Sequence, residues 1–314
     1  MVFTTTLNQM LVMFAFIVIG FILQKFKILP ENTAQGLSKL ESTLLIPMLV
    51  LATFIRDFTL ENLKTSYKFL LVGLGVALIS VLIGIISAKF LSKDDFKRKI
   101  YTYVMAFSNF SYVGLPLVQE VFSEYTYAYL MFTLPAILIC FGWGVNTLLI
   151  PKQDENANTF GKKVKVFLKG FTSPMVISIF VGMIIGISGL KLPTFLTKTI
   201  NSLRDCMSPI AMLLTGCIVA KYDLRKSFKD IGLYISTALR LLVIPIIAGL
   251  IMMPFAVPLL YKICVLVFLA SPLGLNTVIV PVAYGKDTSH AAGLAIFSHS
   301  LSVVTIPLVL FLFL

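Results

Sequence analysis

The chain has 314 residues, 58% hydrophobic and 13% charged, with a mean hydropathy of +0.96. So few charges cannot solvate a globule of this size, which excludes a soluble protein and points to one embedded in lipid. The formal net charge of +12 is no argument for nucleic acid, because the basic residues concentrate between apolar stretches rather than on one soluble face.

Stretches without Asp, Glu, Lys or Arg run over 7–24, 42–55, 69–88, 100–119, 125–151, 170–190, 206–220, 241–261, 263–285 and 288–314. These predict ten membrane helices, most near or above the roughly 20 residues that cross about 30 Å of hydrocarbon. The two short ones lengthen if Glu41, or Arg204 and Asp205, lies near an end. The first has no basic region before it and no small-residue cleavage site after it, so it reads as a retained helix rather than a signal peptide. The third is apolar all round, as a helix in lipid or in a bundle should be. Gly73, Gly75 and Gly84 there, and Gly182 and Gly186 in the sixth, are expected to let helices approach closely. The eighth extends back to Ile231 and so contains Arg240. Cys140, Cys206, Cys217 and Cys264 lie in apolar stretches without CxxC spacing; they read as core residues, and no disulfide, metal site or cofactor is expected.

Of the 26 Lys and Arg, 18 fall in the odd-numbered connections and 7 in the even-numbered ones. The odd connections are therefore expected in the cytoplasm, including 152–169, with both termini outside a plasma membrane. The clusters Lys97-Arg98-Lys99 and Lys162-Lys163-Val164-Lys165 then read as orientation signals beside anionic lipid, and no nucleic-acid partner is expected.

Several landmarks recur 162 to 165 residues apart: Glu41 with Asp205, Pro47 with Pro209, Arg56 with Lys221, Ser108 with Ser271, and Pro116 with Pro281. Five spans per half force the second copy to enter the bilayer from the opposite side. Residues 1–151 and 170–314 are thus expected to form two inverted repeats joined by 152–169.

Two spans are interrupted. In the fourth, Pro116 lacks an amide hydrogen and clashes with the carbonyl four residues back, and Gly114 weakens the same turn, so the helix is predicted to stop and restart there. In the ninth, Pro272 and Pro281 bracket Gly274 and Asn276. Backbone freed from helical bonds is tolerated at membrane depth only in protein or along a cavity, and a matched pair of breaks marks a transporter's binding site. Restarted halves near Leu117 and Val282 would aim two helix N-termini, each roughly half a positive charge, at one cavity and favour an anion. Asn109 and Asn276 add carboxamides, and Ser108, Ser111, Ser271 and Thr277 add hydroxyls that either bind a ligand or satisfy freed carbonyls. Neither break contains Asp or Glu, the residues a cation exchanger would place there.

Asn109 with Gly114-Leu115-Pro116-Leu117 resembles the broken fourth helix of the auxin efflux carrier family. The resemblance extends over all ten spans through Pro47, Ser208-Pro209 with Gly216, Arg240-Leu241-Leu242 before Pro245, and Ser271-Pro272 with Asn276. It implies an all-α integral membrane protein of ten helices in two inverted five-helix repeats with crossing broken helices, as in the bile-acid symporter and sodium-proton antiporter folds. It also implies a scaffold of spans one, two, six and seven, a mobile transport domain of the other six, and a homodimer through the scaffold. By the same resemblance Asn109 and Asn276 help hold a substrate carboxylate while Pro116 and Pro281 fix the crossover. The short central connection is similar to the bacterial branch, described as permeases for malate or related organic acids.

Among ionisable residues, Arg240 needs a partner inside the bilayer; it either shapes the positive field of the site or ties the eighth span to carbonyls of a broken helix. Glu120 either pairs with Arg240 or sits at the outer surface. His299 is a candidate for proton coupling, since imidazole titrates near neutral pH, with a hydrogen-bonded packing role as the alternative; His290 is expected at an interface. Glu41 and Asp205 are expected to make helix-end interactions. The leading expectation is a secondary carrier of a small organic anion. A sodium-coupled symporter of related fold and a membrane receptor or anchor are the alternatives. An enzyme is disfavoured by the lack of HExxH, nucleophile-elbow and Asp-rich phosphate motifs.

Overall fold

The computed structural model describes residues 2–150, 174–221, 230–282, 286 and 288–314, so the connection at 152–169 with its lysine cluster lies outside the described residues. Among the described residues every regular element is helical, apart from one isolated antiparallel bridge between Ser108 and Leu273. In chain order the helices are α1 (Val2–Lys25), α2 (Thr33–Leu40), α3 (Ile46–Asp57), α4 (Leu60–Leu91), α5 (Asp95–Ala106), α6 (Leu115–Val121) and α7 (Thr126–Ile139). After the central connection come α8 (Pro174–Ser188), α9 (Thr194–Asp205), α10 (Met207–Val219), α11 (Ile231–Ala238), α12 (Ile244–Met252), α13 (Leu259–Ala270), α14 (Asn276–Val282) and α15 (Ser289–Phe313). Widened π turns join α2 to α3 (Glu41–Leu45), lead into α6 (Phe110–Gly114), extend α7 (Cys140–Leu149) and join α11 to α12 (Leu239–Val243).

Among the described residues, six helical stretches are long and apolar enough to cross a bilayer: Phe3–Lys25, Thr33–Asp57, Ser66–Leu91, Thr194–Val219, Ile231–Met252 and Ser289–Phe313. A seventh is added if Ser123–Ile139 and Gly142–Leu149 form one bent span. Pro174–Ser188 and Leu259–Ala270 are shorter apolar helices. The chain is therefore a multi-pass membrane protein, and the stretches expected at 100–119 and 263–285 are each divided rather than continuous.

Helix starts are fixed by side chains at the polar connections. Asp94 accepts from Lys97 N at 2.7 Å at the head of α5, and Asp230 accepts from Gly232 N at 2.9 Å at the head of α11, each satisfying an amide without a helical partner. Outward-facing Leu71, Leu78, Ile79 and Leu82 of α4 and Ile251 and Phe311 elsewhere remain exposed, which suits contact with lipid. Without a hydrophobic drive between helices in lipid, small residues set how close they come. Gly20 of α1 and Gly216 of α10 face one another's helix backbones, so that a methyl at either would collide with Leu213 O or Ile17 O. Gly73 and Gly84 likewise seat α4 on α7 and α5, and Gly182 and Gly186 seat α8 on α3, whereas Gly75 faces open space and takes no part in packing.

Two apolar clusters form the interior. One contains Phe110, Phe132 and Phe268; the other contains Tyr103, Phe107, Leu273 and Leu275. Phe107 and Phe110 belong to different clusters, so the chain between them runs along their boundary.

Candidate functional site

Helix α5 ends at Ala106 and α13 at Ala270, and the next residues are extended: Phe107 at φ −121°, ψ 112° and Ser271 at φ −61°, ψ 144°. Ser271 is driven there by Pro272, whose ring clashes with a preceding helical residue. The two extended segments run antiparallel and meet. Asn109 N donates to Pro272 O at 2.7 Å, Ser108 Oγ donates to Phe268 O at 2.6 Å, and Leu273 N donates to Ser298 Oγ of α15 at 3.2 Å. Freed backbone groups thus satisfy one another far from water.

The unwound segment beside Pro272 lies where that proline places it, but the helix restarts do not lie near Leu117 and Val282. The chain resumes turning at Phe110 rather than Leu117, and the π turn over Phe110–Gly114 brings Pro116 into the second position of α6, where a missing amide hydrogen costs little. Pro281 lies inside α14, which starts at Asn276 rather than Val282. The conformation that interrupts the helices is set by Pro272 and by pairing between the segments. Gly114 serves closeness rather than weakness: a Cβ there would strike the Tyr129 hydroxyl and lie 3.0 Å from Ser271 Oγ. Gly274 has only ordinary space around it, and its carbonyl accepts the Thr277 hydroxyl at 2.8 Å.

Arg240 joins the two breaks. In a continuous helix the carbonyl of Phe268 would accept from residue 272 and that of Met105 from residue 109. Pro272 has no amide hydrogen, and Asn109 N has turned to Pro272 O, so both carbonyls lose their helical donor. Arg240, wholly buried, donates to Met105 O at 2.9 Å and to Phe268 O at 3.2 Å, with its guanidinium carbon 6.0 Å from the Phe268 ring centre. Both carbonyls lie at helix C-termini, where partial negative charge collects. Of the two roles open to Arg240 in the sequence, the geometry favours the tie to broken-helix carbonyls. Glu120 is exposed near the end of α6 and forms no ion pair among the described residues.

A cavity of about 370 Å³ opens beside the crossing. Ser108, Asn109, Ser111, Gly274 and Asn276 border it from the breaks, and Ser42, Thr43 and Pro174 border it from α3's preceding turn and α8. Among the described residues, no Asp, Glu, Lys or Arg lines it. Asn109 Nδ2 is 3.0 Å from His299 Nε2, and His299 Nδ1 is 2.7 Å from Ala295 O. A carbonyl only accepts, so Nδ1 carries the hydrogen and Nε2 accepts from the Asn109 amide. Asn276 Nδ2 donates to the Tyr103 hydroxyl at 2.9 Å, which in turn is 2.9 Å from Cys140 Sγ.

The hydroxyls of Ser108, Ser271 and Thr277 are engaged with backbone. Ser271 donates to Val267 O at 2.6 Å, a carbonyl that also accepts from Ser271 N, and Thr277 to Gly274 O, and neither borders the cavity; both serve backbone carbonyls rather than a ligand. Cys140, read from sequence as a core residue, and Tyr103, which the sequence reading did not single out, stand at the cavity wall. The one available signal was a tyrosine inside an apolar stretch, whose hydroxyl needs a partner when buried. Glu41, expected at a helix end, is instead buried in a π turn with neither carboxyl oxygen hydrogen-bonded, while Asp205 is exposed and paired to Arg204 at 2.9 Å.

A family model described as membrane transport protein matches residues 5–310, almost the full length. The chain belongs to the membrane transport protein family. This is the auxin efflux carrier family that Asn109, Gly114 and Pro116 resemble, and it makes the protein a membrane transporter. No curated protein matches the chain. For this transporter, the crossing is where backbone irregularity, the buried Asn109 and half-buried Asn276 carboxamides and an open cavity coincide.

Proposed function

We propose that this transporter carries a small organic anion, a carboxylate such as malate, by alternating access. The observation that carries the reading is the cavity at the crossing, which holds two carboxamides and several hydroxyls and, among the described residues, no carboxylate. A carboxylate in a low-dielectric site is bound by neutral donors and repelled by acidic side chains.

The mechanism we infer is a crossover elevator on ten spans in two inverted repeats, 1–151 and 170–314. The scaffold is α1, α2, α3, α8, α9 and α10; the moving body is α4 to α7 and α11 to α15. Packing within each body fits the division, since α1 lies along α10 and α3 along α8 and α9, while α4 lies along α5 and α7 and α13 along α12 and α15; across it, α1 also lies along α15. The cavity falls on the seam, bordered by Ser42 and Pro174 on one side and by Asn109 and Asn276 on the other. A ligand at such a seam changes its exposure when one body slides. The expected orientation is supported by contacts among odd-numbered connections: Asp230 pairs with Lys97 and with His290, each at 3.5 Å, and Lys221 reaches Glu31 O. These gather basic connections on one face, which by the positive-inside rule is the cytoplasmic face of a plasma membrane.

Uptake of labelled malate, succinate and benzoate into proteoliposomes tests the reading, with and without sodium. We expect saturable uptake of at least one of these acids. Failure of correctly folded protein to bind or transport any of them would overturn the anion assignment, and uptake that requires sodium would favour the symporter alternative. Binding without flux under any imposed gradient would favour a receptor.

A further inference from the structure

The contact between Asn109 and His299 carries a consequence for coupling, and it rests on the anion site proposed above. His299 is buried in α15 among Met10, Met13, Met212 and Val303, and its Nδ1 hydrogen is held by Ala295 O, so its only open nitrogen is Nε2. That nitrogen meets Asn109, whose carboxamide also borders the cavity. An asparagine side chain has two unlike ends, a donor and an acceptor. While Nε2 is unprotonated it must face the donor end and takes one of the two amide hydrogens, so a ligand meets Oδ1 and at most the single hydrogen that remains. An oxygen acceptor is the wrong end for a carboxylate.

We propose that His299 takes up one proton as a carboxylate enters the cavity, and that the Asn109 carboxamide turns over to match. The proton comes from water on the side to which the cavity opens and binds Nε2. Nε2–H then donates to Oδ1, and the amide –NH2, released from the ring, donates to the carboxylate. When the anion leaves, the proton leaves with it and the carboxamide reverts. Each substrate therefore moves with one fewer negative charge than it carries in solution.

The surroundings make the two events mutually dependent. On the elements packed against α15, Lys25 and Lys262 lie toward the ends of α1 and α13, while Cys217, Tyr234, Tyr261 and Cys264 are thiols and phenols rather than carboxyl groups. Tyr112, on the π turn after Asn109, is likewise a phenol, and no carboxylate forms an ion pair with His299 among the described residues. Arg240 is the charged group tied to the breaks, and its positive charge opposes an imidazolium nearby. An imidazolium here lacks a counter-ion until an anion arrives. By linkage, whatever the anion does for the proton, the proton does equally for the anion.

The chain has two histidines, so ¹⁵N-histidine labelling of the full-length protein in nanodiscs, with His290→Gln to assign the signals, reads His299 directly. Without ligand we expect a neutral ring with hydrogen on Nδ1 alone; with saturating malate both ring nitrogens should carry hydrogen. Malate affinity should rise about tenfold for each pH unit lowered through the neutral range, the slope of one linked proton. His299→Gln keeps a hydrogen-bonding group but cannot take the proton, and its affinity should be flat with pH. A ligand-free ring protonated on Nε2 would overturn the inference, as would a ring that stays neutral with malate bound or an undiminished slope in His299→Gln. Those results would leave the anion site standing. If malate, succinate and benzoate all fail to bind folded protein at every pH, the anion site itself falls and the inference with it.

Discussion

Arg240 donates to the carbonyl of Phe268, and that carbonyl is available because its helical donor would have been Pro272. The Ser108 hydroxyl fills its other lone pair at 2.6 Å. A proline just after α13 thus creates the acceptor that an arginine between α11 and α12 and a serine just after α5 both use.

Arg240→Met should be strongly destabilising. It takes the Arg240 donor from the Met105 carbonyl, at about 1–3 kcal/mol for a buried group left unsatisfied, and leaves the Phe268 carbonyl with Ser108 alone. Arg240→Lys should recover only part, because one ammonium lacks the planar fork that reaches two carbonyls. Thermal unfolding in detergent, followed by size-exclusion chromatography, checks both, and a melting temperature for Arg240→Met equal to wild type would contradict the tie.

Replacing Asn109 by Ala should weaken carboxylate binding about 10- to 100-fold, the worth of a hydrogen bond to a charged group, with little change in folded yield. Asn109→Asp should be worse, since it adds a negative charge to a cavity that has none. Equilibrium binding of labelled malate measures both, and unchanged affinity in Asn109→Ala would remove this residue from the site.

Gly114→Ala places a methyl against the Tyr129 hydroxyl and should cost about 1–3 kcal/mol of stability by overpacking. Tyr129→Phe removes that hydroxyl, so the double variant should be more stable than the sum of the single changes predicts. The interaction energy from such a cycle should be favourable; strict additivity would mean the two side chains are not in contact.

At the scaffold, Gly216→Val should push α1 from α10 and sharply lower the yield of folded protein, because its Cβ meets the Ile17 carbonyl. Gly75→Ala, which meets nothing, serves as the matched control and should behave as wild type or slightly better. Expression followed by fluorescence-detected chromatography reports both.

Much of the architecture is legible in the sequence because lipid imposes a local rule: an apolar stretch of sufficient length is a helix wherever it stands. The family resemblance is legible for the same reason, being carried by residues close together, such as Asn109 with Gly114 and Pro116. The position of the first break is not local. Phe107 to Asn109 precede the only proline of that interruption, and their extended course is held by a bond from Asn109 to Pro272, 163 positions away. Proline rules read Pro116 and Pro281 as breakpoints because a π turn and a short helix that accommodate them leave no trace in composition. His299 was readable as titratable, but its partner, 190 residues earlier, was not. Ser271 and Thr277 had two open roles, and only the direction of their hydroxyls distinguishes service to the backbone from service to a ligand.

The shared guanidinium has one more implication. Since α5 and α13 both terminate on Arg240, and Asn109 is bonded to Pro272 between them, withdrawing either arm of the cross alone would strand polar atoms in a dry interior. A gate that works by peeling one arm away is therefore disfavoured, and the two arms have to travel as a single riveted piece.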